Sequence, residues 1–178
     1  MSGIIDLRYV RFTVEDLEKQ QQFLEDFGLT TTLRDGLLIG KGTDGYPYAY
    51  VATLGPSAFL GMGFEAESIE ELERIAAIDG VPVAEITDLP GGGKRARMTD
   101  PNGFSVDVVY GSEVSAAAKL TNRSPFNTGN GTDRLGTRVI LTEQKNIVRR
   151  LGHCVINAID FRTTEAWYKA RIGFITSD

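Results

Sequence analysis

A stretch near the start of the chain, Leu7-Arg8-Tyr9-Val10-Arg11-Phe12-Thr13-Val14-Glu15-Asp16, has a counterpart near its end. That counterpart is Leu151-Gly152-His153-Cys154-Val155-Ile156-Asn157-Ala158-Ile159-Asp160. The offset holds further along the chain, where Phe23-Leu24 falls on Trp167-Tyr168. One extra residue later, Phe27-Gly28-Leu29 falls on Ile172-Gly173-Phe174. An internal repeat constrains architecture more than any single motif, because each copy has to form the same supersecondary unit. Here the unit opens with a strand and a helix. The only histidine of the chain, His153, sits in the strand of the last copy.

Alternation assigns faces within the first copy. Val10, Phe12 and Val14 point one way, toward a helix, and Tyr9, Arg11 and Thr13 point the other, toward a solvated surface or cup. The helix is expected from about Asp16, with Leu17, Phe23, Leu24 and Phe27 inward, and Gly28 as its C-cap. Short strands are expected at Thr30 to Arg34, Leu37 to Lys41 and Tyr46 to Thr53, with Asp35-Gly36 as a hairpin turn. The unit reads β-α-β-β-β. A second copy begins with a strand from Phe59 to Ala66, with Leu60, Met62 and Phe64 on the helix side. Ser68-Ile69-Glu70-Glu71 is a capping box, and Ile69, Leu72, Ile75 and Ala76 form the apolar stripe behind it. Strands near Val83 to Thr87, Lys94 to Thr99 and Phe104 to Tyr110 complete it.

The resulting boundaries are a two-unit domain over residues 1–110, a linker over 111–150 and the beginning of another domain over 151–178. Thr121 to Thr137, rich in Asn, Gly and Thr, reads as a linker wrapped over a surface or partly disordered. In the third copy Cys154, Ile156 and Ala158 face the helix, and His153, Val155 and Asn157 face the cup. One strand and one helix bury too little surface to stand alone. This end must dock on the first domain, pair with another subunit or begin a longer protein, and the last is the favoured reading.

Net charge of −5 gives no support to a nucleic-acid partner. The basic run Gly91-Gly92-Gly93-Lys94-Arg95-Ala96-Arg97 reads as a solvated turn. It fails as a phosphate loop, since Asp88 stands where the first glycine belongs and Arg95 where Ser or Thr is required. No apolar run is long enough to span a membrane. The first residues lack the regions of a signal peptide, and one cysteine fits a reducing cytoplasm, which is the expected location. Cys154 alternates away from His153 and reads as a small buried apolar residue.

Tandem β-α-β-β-β units closing a cup resemble the vicinal oxygen chelate superfamily, which includes glyoxalases, bleomycin-resistance proteins and extradiol dioxygenases. The α+β fold and cup-shaped sheet expected here are those of that superfamily. Asp100-Pro101-Asn102-Gly103-Phe104-Ser105-Val106-Asp107 is similar to its Asp-Pro-x-Gly turn and final strand, and Gly63-Phe64-Glu65-Ala66 is also typical. Arg149-Arg150-Leu151-Gly152-His153, with Asp160-Phe161, Trp167-Tyr168 and Ile172-Gly173-Phe174, resembles the opening of the catalytic domain of type I extradiol dioxygenases. The nearest of these are the 2,3-dihydroxybiphenyl and catechol 2,3-dioxygenase types. Those enzymes place a structural two-unit domain before one that holds Fe(II).

The resemblance implies an Fe(II)- and O₂-dependent cleavage of a catechol-type ring by a parent protein, with the iron held by two histidines and a glutamate. Two neutral imidazoles and a carboxylate hold Fe(II) on one face and leave the other open for the catecholate and O₂. Carried over, the three ligand slots of the first domain hold Tyr9, Gly61 and Asp107. Glycine offers no ligand and tyrosine is an uncommon one, so this domain is expected to be metal-free. The first slot of the third copy holds His153, and its companions would lie past Asp178. One ligand does not retain Fe(II), and a dimer would add only another His153. For this chain alone His153 is therefore read as an ordinary histidine, and for the parent as a ligand.

A carboxylate in a cup without its metal needs a compensating charge. Arg11 and Asp107 are therefore expected to form an ion pair, or a network with Tyr9, with solvation of both at the cup rim as the other reading. Alternatives to the dioxygenase reading are a metal-free module of the bleomycin-resistance type, holding a small aromatic molecule or dimerising through its cup, and a glyoxalase-like isomerase.

Overall fold

The computed structural model describes residues 3–118, 127–128, 131–132, 136 and 147–176. The first unit consists of β1 (Ile4–Val14), α1 (Leu17–Phe27), β2 (Thr30–Arg34), β3 (Leu37–Lys41) and β4 (Tyr50–Leu54). The second consists of β5 (Ala58–Ala66), α2 (Ile69–Asp79), β6 (Val83–Glu85), β7 (Lys94–Thr99) and β8 (Ser105–Tyr110). Two-residue strands β9 (Asn127–Thr128) and β10 (Gly131–Thr132) pair with each other, and α3 (Phe161–Arg171) comes last. Most of the expected linker, including most of Thr121 to Thr137, lies outside the described residues.

The two units form one eight-stranded sheet in the order β2-β3-β4-β1-β5-β8-β7-β6. Each unit contributes one half, β1 pairs with β4 in parallel, β5 pairs with β8 in parallel, and the antiparallel β1–β5 ladder joins the halves. The β-α-β-β-β unit read twice over residues 1–110 is thus a repeat in the sheet. Helices α1 and α2 cover one face. Asp16, Ser68 and Gly28 take the places expected of them: Asp16 Oδ1 accepts from Lys19 N–H, Ser68 Oγ accepts from Glu71 N–H, and Gly28 closes α1 in a left-handed conformation, as Gly80 closes α2.

β1 and β5 carry bulges that decide which side chains enter the cup. Leu7 pairs with Phe64 and Tyr9 with Gly63, so Arg8 is an extra residue in β1. Leu7 can then pack on the helix side while Tyr9, two residues on, packs in the cup. In β5 the extra residue is Leu60. Phe59 takes the helix-side place, edge-on to both Phe12 and Phe104, and Leu60 is exposed rather than helix-facing as alternation implies. The inward face of α1 also differs from expectation. Leu24 is buried and Leu17 packs beside it, but Phe23 and Phe27 are exposed and stack on each other at a centroid distance of 6.1 Å. A hundred degrees per residue cannot bring 23, 24 and 27 onto one narrow stripe, and here Leu24 takes the buried place while the ring pair stays outside.

Pro47 and the turn residues before it keep Tyr46 to Ala49 out of β4, which begins at Tyr50. The third copy forms its helix but not its strand. Leu151 to Ala158 alternates between half-buried and exposed residues much as a strand would, with Leu151, Cys154 and Ile156 against the core, yet among the described residues it carries no ladder. β1 and β5 already have neighbours on both sides, so the sheet has no central place for it.

Instead, α3 docks on the helix side of the first two units. Tyr168 and Ile172 are buried in the same core cluster as Leu72, Ile75 and Met98. The Asp-Pro-Asn-Gly turn supplies the polar part of the dock. Asp100 Oδ1 accepts from the backbone N–H of Asn102 and Phe104, and Oδ2 accepts from Tyr168 Oη at 3.2 Å. Asn102 donates to Thr164 Oγ1 and accepts from Ile159 N–H at 2.8 Å. Burial, and the Asp100 carboxylate next in size, push the Tyr168 phenol up in pKa, so it stays a donor.

Arg171 adds a two-point ion pair to Asp79 at the end of α2, with Nε 2.7 Å from Oδ2. The hydrogen bonds from Arg171 hold the Asp79 carboxyl below its usual range. A depressed carboxylate contributes stability above its unfolded value that is lost as pH falls through its folded value. The contact is therefore expected to weaken below about pH 4, and Arg171→Ala to cost about 1 kcal/mol at neutral pH. Trp167, the only tryptophan, stacks under Arg171 at 4.5 Å, so its fluorescence reports the loss. An emission spectrum unchanged between neutral pH and about pH 3 would show that the pair does not hold the helix.

Candidate functional site

The concave face of the sheet carries the side chains that alternation places in the cup. Strand register brings Tyr9, Gly63 and Asp107 into one row, and Arg11, Gly61 and Ser105 into the next. Across β7, Arg97 pairs with Asp107 and Arg95 with Val109. Of the three residues the sequence set in ligand slots, Tyr9 and Asp107 meet directly and Gly61 lies one row on. Glycine occupies both rows for steric reasons. A Cβ at Gly63 would fall inside the Tyr9 ring, and Gly61, at φ +151°, would press one into the Ser105 carbonyl.

Asp107 is fully buried, and each of its oxygens is taken. Tyr9 Oη donates to Oδ2 at 2.6 Å. Arg97 donates through Nε to Oδ1 at 2.7 Å and through Nη2 to Oδ2 at 2.8 Å, the two-point geometry that matches a guanidinium to a carboxylate. Arg11 Nη1 lies 3.7 Å from Asp107 Oδ2 and 3.7 Å from Asp88 Oδ2, and Arg95 Nη1 lies 3.0 Å from Asp88 Oδ1. The expected partner, Arg11, is present at ion-pair distance, but Arg97 makes the hydrogen bonds. Burial, then the Asp107 charge, push the Tyr9 hydroxyl well above its usual pKa, so the ring stays protonated and donates.

Arg95 and Arg97 belong to the cup face and not to the solvated turn that the basic run suggests. The signal lies in the alternation Arg95-Ala96-Arg97-Met98. Ala96 and Met98 are buried against the helices, so both arginines must face the cup. Residues 91–93 are the turn, with Gly93 carbonyl accepting from Ile86 N–H and Gly91 carbonyl from Glu113 N–H. The next element is strand β7, where a phosphate loop would need a helix.

The cup is filled by its own loops. Tyr46 and Tyr48 stand edge-on to each other, Tyr48 stands edge-on to Tyr9 at 4.9 Å, and Ile86, Leu89 and Val109 close the cluster. Arg8 stacks on Tyr46 at 4.8 Å and pairs with Glu65.

The arrangement does not fit Fe(II). A metal at Asp107 would have to displace Tyr9 and Arg97 and then bind beside three guanidinium groups, with no donor from either glycine. Among the described residues no group of three or more His, Cys, Asp or Glu is placed to hold a metal ion. His153 is exposed and lies on the other side of the sheet from Asp107, in the segment whose Cys154 and Ile156 pack against the helix-side core. Burial raises the Cys154 thiol above its usual pKa, in keeping with a packing role. Among the described residues no helix is long and apolar enough to cross a membrane.

No protein-family model matches the chain, and no curated protein matches it. Solved structures do. A Mn(II)-bound glyoxalase from Novosphingobium aromaticivorans is 20% identical, with 68% of this chain and 44% of that one aligned at a TM-score of 0.57. The 2,3-dioxygenase LapB from Pseudomonas sp. KL28 is 22% identical over 71% of this chain and 48% of its own, at 0.58. Homoprotocatechuate 2,3-dioxygenase from Brevibacterium fuscum, in complex with 3,4-dihydroxyphenylacetate, is 22% identical over 65% and 39%, at 0.56. The chain spans less than half the length of each of these proteins. Its fold is the α+β cup of the glyoxalases and extradiol dioxygenases, the fold of the vicinal oxygen chelate superfamily.

Proposed function

We propose that residues 1–110 are the structural, metal-free domain of an extradiol dioxygenase-like protein and that residues 151–178 begin its metal-binding domain. The parent would cleave a catechol-type ring with Fe(II) and O₂, and this chain by itself would be inactive. The observation that carries the reading is the Asp107 site. A carboxylate at a ligand position of the fold is locked by Tyr9 and Arg97, which suits a domain retained for its shape and not for a metal. His153 is the one residue assigned to the parent's iron, and the substrate is a small aromatic diol by analogy with the neighbours.

Two measurements test this. Anaerobic Fe(II) titration of the 178-residue protein, with desalting and metal analysis, is expected to leave far less than one iron per chain. Stoichiometric iron lost in Asp107→Asn would overturn the metal-free assignment. Reading the gene past codon 178 tests the parent: the absence of a histidine in the next unit, or of a glutamate on its last strand, removes the dioxygenase.

A metal-free binding module is the second reading. In its favour is a cavity of about 940 Å³ over the outer half of the cup, where Thr30, Thr32, Arg34 and Lys41 line the β2–β3 side. Against it stands the tyrosine cluster, which occupies the inner half. A glyoxalase-like isomerase has no such support, because its metal set is missing from the same rows.

A further inference from the structure

Leu151 to Ala158 is a strand in its alternation and not in its bonding. Among the described residues its backbone makes no hydrogen bond, although its half-buried face is anchored on the core and its ends are held by Arg149 carbonyl to Thr43 N–H and by Ile159 N–H to Asn102. A segment anchored along one face, whose backbone N–H and C=O groups have no partner among the described residues, is a template for another strand. A cavity of about 700 Å³ runs beside it, and four of the side chains on that cavity, Ile5, Phe161, Phe174 and Ile175, are large, apolar and exposed. An apolar patch next to an unpaired edge is what strand addition needs.

We propose that the occupant is a second copy of this chain, paired antiparallel through Leu151 to Ala158 about a two-fold axis at Val155. The sequence of the segment is complementary to itself in that register. Val155, 82% exposed, meets its own copy. Cys154 stands opposite Ile156 and Leu151 opposite Ile159, so the apolar positions face apolar ones, and His153 stands opposite Asn157. Every contact off the axis occurs twice, as an isologous dimer requires. The partner's strand also lies over the cavity and its exposed rim. The proposal concerns the 178-residue chain, because in the proposed parent the next unit would compete for the same edge.

The test uses the 178-residue protein. Sedimentation equilibrium is expected to give a mass of two chains that falls to one on dilution. Val155→Pro removes a donor at the axis, and Val155→Lys sets two like charges face to face. Either is expected to weaken the dimer by about tenfold or more, without altering Trp167 emission. In a Cys154→Ala background, Val155→Cys places one thiol on the axis, where directly opposed residues lie within disulfide reach, so mild oxidation should trap a covalent dimer. A monomer at all concentrations overturns the proposal. So does a dimer that neither substitution at Val155 weakens and that oxidation does not trap.

Discussion

Replacing Asp107 by alanine will destabilise the protein by about 3–5 kcal/mol, the range for removing one partner of a buried charge pair. The carboxylate is fully buried, and it is the acceptor for both Tyr9 Oη and the two-point bond from Arg97. Without it Arg11 and Arg95 keep only Asp88, Arg97 loses its two-point partner, and a buried phenol loses its acceptor. Asp107→Asn keeps an acceptor for the tyrosine and discards the charge, so its loss should be smaller, and the difference between the two variants isolates the electrostatic part. Urea unfolding monitored by circular dichroism measures both. A loss below about 1 kcal/mol for the alanine variant would mean that the arginines are solvated and the network contributes little.

Gly63→Ala will cost roughly 3 kcal/mol, at the upper end for forcing atoms into a packed interior. The new methyl falls inside the Tyr9 ring, and that ring cannot swing away because Tyr48 stands edge-on against it and Asp107 holds its hydroxyl. The mechanism predicts a strong coupling. In a Tyr9→Ala background the ring is gone, and Gly63→Ala should then cost less than about 1 kcal/mol. Additive losses in the double-mutant cycle would place the strain in the backbone and not in the ring.

Most of the cup was legible because alternation, capping residues and the repeat all act locally. Tyr9, Arg11 and Asp107 could be set on one face from their own strands. Arg97 could not be ranked above Arg11, since that depends on β7 lying directly beside β8 and on which rotamer reaches both oxygens. The filling of the cup by Tyr46 and Tyr48 was equally hidden, because a loop shows no periodicity from which to read a direction. Leu60 and Phe23 depart from their expected faces for a related reason. A bulge reverses the faces of a strand at one residue, and a helix stripe chooses among near-equal neighbours, and in each case the partner surface decides.

The sequence by itself determined the repeated β-α-β-β-β unit, its helix ends and the polar set aimed into the cup, all of which arise from residue-scale periodicity and hydrogen-bonding groups near in the chain. Only the tertiary structure decided that Asp107 is sealed by Tyr9 and Arg97, and that the His153 segment lies on the far side of the sheet, where its backbone has no partner among the described residues. Those outcomes rest on contacts between residues far apart in sequence. Charge neutralisation, ring packing and the lack of a free place in the sheet are properties of the assembled surface and not of any one segment.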